Sequence, residues 1–134
     1  MRSCVRSLAI VLFLAVLTNT ASAAESRTIK TMAGILMNLI HSPSHADRQA
    51  LGQILADSTT TYPEYVVAES LLNVRHTVRA EDRQKLETLI NDRSMPASIT
   101  TMATILVTFI HNATESDRKK LDPLAREWRT SARR

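Results

Sequence analysis

The stretch HSPSHADRQAL, residues 41–51, decides the fold because it returns twice, as HTVRAEDRQKL at 76–86 and HNATESDRKKL at 111–121. In each, a His is followed six residues later by Asp-Arg and then, three residues beyond the Arg, by Leu. The offset is a constant 35 residues without a gap, so the chain divides into copies at 28–62, 63–97 and 98–132. Six positions are identical in all three: Ala33/Ala68/Ala103, Leu36/Leu71/Leu106, His41/His76/His111, Asp47/Asp82/Asp117, Arg48/Arg83/Arg118 and Leu51/Leu86/Leu121. A period of this size marks tandem helical pairs.

Working outward from the repeated stretch, each copy reads as helix, short turn, helix. In copy one Ile29, Met32, Ala33, Leu36, Leu39 and Ile40 recur at steps of three and four, which gives a helix one apolar face. Leu51, Ile54 and Leu55 do the same for the second helix, matched by Leu86, Leu89 and Ile90. Ser44 and Thr114 stand three residues before Asp47 and Asp117, an N-cap followed by an acid that suits the helix dipole. Copy two has Arg79 at the cap position, a weaker start. Pro63 falls where a first helical residue is expected. Pro123 should break the last helix, with Asp122 capping a short additional one that carries Trp128. The fold class is therefore all-α: three tandem 35-residue helix-turn-helix repeats forming a compact helical bundle. The period invites comparison with tetratricopeptide repeats, but that family's Trp, Leu-Gly and Tyr positions have no counterparts.

The terminal copies are the most apolar, with MAGILMNLI at 32–40 and MATILVTFI at 102–110, whereas the middle copy carries Glu64, Glu69, Ser70 and Arg75. An open solenoid needs polar outer faces on its terminal repeats. The expectation is a bundle centred on the first helices of copies one and three. Copy two would then lie at the periphery, with Glu69 and Arg75 reaching solvent. A homodimer burying the same helices is the alternative.

The N-terminus reads as a signal peptide over residues 1–23: Arg2 and Arg6, then the apolar run LAIVLFLAVL at 8–17, then Ala21-Ser22-Ala23. That run is short of the ~20 apolar residues a bilayer span requires. The only Cys, Cys4, precedes it, so no lipid-anchor Cys follows. The expected mature chain is one helical-repeat domain over 24–134, periplasmic or secreted, with no membrane insertion. Processing leaves 15 basic residues against 13 acidic ones, a net charge near +2, and the two signs alternate as on a solvated surface. Tyr62, Tyr65, Phe109 and Trp128 are its only aromatics, which argues against a nucleic-acid partner. With Gly34 and Gly52 its only glycines it has no phosphate-cradling loop, and without Cys it has no thiolate chemistry.

The repeated polar set has two readings. In the structural one, His41, His76 and His111 close the first helices and face their carbonyls. Asp47, Asp82 and Asp117 then cap the second helices, and Arg48, Arg83 and Arg118 pair with neighbouring repeats. In the other, the imidazoles bind a transition metal. Two ligands of one ion must bring their nitrogens within about 3–4 Å. Equivalent residues of stacked hairpins lie farther apart, because packed helices sit ~8–10 Å axis to axis. A regular stack therefore excludes three His sharing one ion, and only His41 and His111 remain as a metal-ligating pair if copies one and three meet. A hydrolytic grouping of Ser44 with the His and Asp lacks anything that would place the hydroxyl, and an active site is normally one place rather than three. The sequence thus favours a non-catalytic protein without cofactor that binds another protein, in an inhibitor, immunity-type, chaperone or adaptor role. The alternative is a His-dependent transition-metal-binding protein.

Overall fold

The computed structural model describes residues 21–131, with side chains placed for 27–126. The expected signal peptide falls outside the described residues except for its last three, which begin the first helix. Six helices follow in order: α1 (Ala21–Asn38), α2 (His45–Ala56), α3 (Tyr62–Asn73), α4 (Ala80–Asn91), α5 (Ala97–Thr108) and α6 (Glu115–Ser131). Among the described residues, extended pairing is confined to isolated bridges in the turns after α1, α3 and α5. The protein is all-helical, as the periodicity predicts.

The helices close into a ring. α1, α3 and α5 each touch the other two and form the centre, while α2, α4 and α6 lie outside them. Each outer helix packs chiefly on the first helix of the next copy: α2 on α3, α4 on α5, and α6 back on α1. The last of these contacts joins the end of the chain to its beginning. The six repeated alanines and leucines of the inner helices, Ala33, Ala68, Ala103, Leu36, Leu71 and Leu106, have no exposure at all. Alanine at this level lets three helices approach one axis, since interaxial distance depends on the side chains at the contact. Leu51, Leu86 and Leu121 carry the outer helices onto that core and are equally buried.

Closure corrects the expected arrangement. The middle copy is no more peripheral than its siblings: Val66, Val67, Ala68 and Leu71 of α3 are buried, and so are Glu64 and Ser70. The rule about polar terminal faces does not apply to a ring, because no copy is terminal. The buried polar groups of α3 are met locally instead. The backbone N–H and the hydroxyl of Thr61 both donate to the Glu64 carboxylate at 2.8 Å, and Ser70 Oγ donates to the Val66 carbonyl at 2.7 Å. One oxygen of Glu64, Oε1, is buried without a partner. Arg75 does reach solvent, whereas Glu69 is half-buried and pairs with Lys85 at 2.7 Å.

Pro123 does not break the last helix, and among the described residues no separate C-terminal helix forms; α6 runs through it. The lost N–H removes one hydrogen bond from the ladder. Leu121 and Ala125, both fully buried on either side, keep the segment in the core that α6 shares with α1. The expected caps are present. Ser44 Oγ accepts the Asp47 N–H at 3.2 Å while the Asp47 carboxylate accepts the Ser44 N–H at 3.0 Å, and Thr114 with Asp117 repeats the pattern. Arg79 makes no side-chain cap for α4. In the turns between copies, Asp57 and Asp92 accept hydrogen bonds from Thr59 and Ser94, which hold both carboxyls below the usual range.

Candidate metal centre

The inner helices stop at Asn38, Asn73 and Thr108, and each His lies three residues further on. The histidines therefore do not close the helices as expected. Val74 and Phe109, the C-cap residues of α3 and α5, have already left helical backbone, and the chain then passes one exposed residue before it turns. The turn is made at the His itself. His41, His76 and His111 have φ of 60°, 67° and 63°, the only positive values at non-glycine residues among those described. Left-handed backbone costs an L-residue roughly 1–2 kcal/mol. At His41 and His111 it is tighter still: the Ser42 N–H donates to Ile40 O at 2.6 Å and the Asn112 N–H to Ile110 O at 2.7 Å. These are γ-turns with a positive central φ, the rarer and strained form.

A cyclic set of hydrogen bonds holds the three strained residues together. His41 N–H donates to His111 O at 2.7 Å, His111 N–H to His76 O at 2.7 Å, and His76 N–H to His41 O at 2.6 Å. Each His thus gives and receives one backbone bond within the trio, and all three backbones are fixed around one point at the end of the ring's axis. Leu39, Val74 and Phe109, buried at the preceding level, support it from the core side.

The side chains converge with the backbones. The Nδ1 atoms of His41 and His76 are 3.0 Å apart, those of His41 and His111 3.1 Å, and those of His76 and His111 3.0 Å. The rings meet edge to face or tilted, with interplanar angles of 60°, 76° and 79°, so they fan around a common centre rather than stack. Hydrogen bonding alone does not satisfy this triangle. An imidazole Nδ1 is either a donor or an acceptor, never both. With three atoms and two states, at least two share a state, and one edge must set proton against proton or lone pair against lone pair. A cation at the centre removes the conflict, because three lone pairs can face it together.

The dimensions suit such an ion. At the ~2.0–2.1 Å typical of a zinc–imidazole bond, an ion equidistant from the three nitrogens stands about 1 Å off their plane. The angles at the ion are then about 95°, near the ~90° of one face of an octahedron and within distortion of a tetrahedron. All three residues are exposed, and their donor atoms form the one group of potential metal ligands among the described residues.

The Asp and Arg positions separate from this site. Asp47 and Asp117 serve the caps described above, and Asp82, buried, accepts from Asn73 Nδ2 at 3.1 Å. Arg83 Nη1 reaches the neighbouring copy, where it donates to Val107 O in the last turn of α5 at 2.7 Å; Arg48 Nε bonds Pro43 O at 3.2 Å within its own copy. Arg118 lines a surface groove with Met37 and Asn38 of α1. The fourth histidine, His45, begins α2 and is not in the trio. A shared ion is excluded only in an open stack. In a closed ring, equivalent residues near the axis face one another, and His76 joins His41 and His111 on equal terms. The equal spacing of three gap-free copies carried that signal. No protein-family model, no curated protein and no solved structure matches this chain.

Proposed function

We propose that the protein binds a divalent transition-metal ion through Nδ1 of His41, His76 and His111. The observation that carries this reading is the triangle of Nδ1 atoms, 3.0–3.1 Å on each edge. Neutral imidazole suits zinc, copper, nickel and iron. The strained backbone at each His supports the reading, since residues held in sparsely populated conformations cluster at ligand sites. The sequence ranks a protein-binding role first. Convergence of all three rings favours the alternative, and an exported setting, read from residues 1–23 of the sequence, is part of the same proposal.

Thermal melts in zinc, nickel or copper at low micromolar concentration test the proposal. At a hundredfold excess over the dissociation constant the folded state gains ~2.7 kcal/mol, which a melt resolves. The gain should vanish in His41→Ala, in His76→Ala and in His111→Ala, and survive in His45→Ala. A gain that His76→Ala leaves intact, or that His45→Ala abolishes, would reject the threefold site.

A further inference from the structure

We infer that the ion's remaining coordination positions take a small carboxylate bearing a short hydrocarbon group. This rests on the metal reading above. Among the described residues the ligand group consists of three imidazoles, with no carboxylate or thiol. Three neutral donors leave the whole charge of a divalent ion uncompensated, and such an ion attracts an anionic ligand to any open position. Three protein ligands with further positions open is the pattern of sites that exchange ligands, as opposed to closed structural sites. The exposure of all three histidines gives solvent access to those positions.

The residues immediately before the histidines indicate what kind of anion. Ile40 and Ile110 are 63% and 64% exposed, unusual for large aliphatic side chains flanking one site, and the third equivalent position is Arg75, also exposed. Each of these three residues directly precedes one His of the cyclic backbone set. Of the three, two are apolar and one is cationic, and all are exposed. A carboxylate on the ion would place its charge near Arg75 and its hydrocarbon near the isoleucines. A purely inorganic anion would use the ion and Arg75 but leave the isoleucines without a role.

Cobalt(II) replaces zinc and reports its ligands in the visible spectrum. Titration of the cobalt-loaded full-length protein with butyrate should change that spectrum saturably in the millimolar range. Acetate, with two fewer methylenes, should bind roughly tenfold more weakly. Arg75→Gln removes the charge without adding an apolar side chain, and should weaken butyrate roughly threefold without loss of cobalt. Cobalt bound with a spectrum indifferent to butyrate would overturn this inference and leave the metal reading standing. Equal butyrate binding by Arg75→Gln, or acetate binding as tightly as butyrate, would also overturn it. Failure to take up cobalt would overturn both.

Discussion

At the scale of single residues, the three histidines combine an unfavourable backbone with a frustrated side-chain contact. Glycine adopts positive φ without steric cost, so the two contributions can be separated. In metal-free protein, each His→Gly variant should be more stable than the matching His→Ala variant by about 1 kcal/mol, measured by urea denaturation. Equal stabilities would mean that the left-handed turns carry no strain. Neither member of the pair should respond to metal. The identity of the three residues was plain in the sequence, because His recurs at a constant offset. Their backbone conformation was not legible there, since His is an ordinary residue in many settings and only the turn geometry calls for a positive φ. The helix-closing role expected for them fails because the inner helices end three residues earlier. The N-caps expected of Ser44 and Thr114 are present, with partners three residues away that could be read locally.

At the scale of helices, copy two is the exception to its own pattern, and two substitutions probe why. Arg79→Ser would give α4 the N-cap that Ser44 gives α2, and should add about 1 kcal/mol in thermal or urea unfolding. A decrease would show that Asp82, held by Asn73 and Lys85, already occupies the role that a capping box would need. Glu64→Ile restores the residue type of Ile29 and Ile99. It removes a carboxylate that accepts two hydrogen bonds at the start of α3, and also an oxygen buried without a partner. A lost cap costs about 1 kcal/mol, and relief of an unsatisfied buried group returns a similar amount. The net change should stay within about 1 kcal/mol, and a loss beyond about 2 kcal/mol would mean that the Thr61–Glu64 contact fixes the entry of α3. Element type and the six main helices followed from apolar periodicity and turn residues. The continuity of α6 did not, because a local rule about proline was outweighed by burial of Leu121 and Ala125, which only the tertiary structure shows.

At the scale of the whole molecule, closure is what the sequence concealed. The repeats, their helices and their buried positions could be read along the chain, but packing order could not, since each outer helix prefers the next copy to its own. The middle copy's polar residues pointed toward the periphery only under the assumption of separable hairpins. Closure predicts strong interdependence of the two ends. Removing residues 115–134 deletes the helix that covers α1 and should abolish cooperative thermal unfolding, read by circular dichroism; a retained sharp transition would argue for an open array. A linear solenoid can lengthen by duplicating a unit, but a closed polygon of helices has a fixed number of sides. A fourth 35-residue copy would turn the triangle of inner helices into a square. The alanines that now meet at the centre would stand around an open channel, and the histidine nitrogens would draw apart beyond the reach of a shared ion. In this architecture a duplication would not extend the protein but undo its centre, so the copy number and the proposed binding site are bound to persist or be lost together.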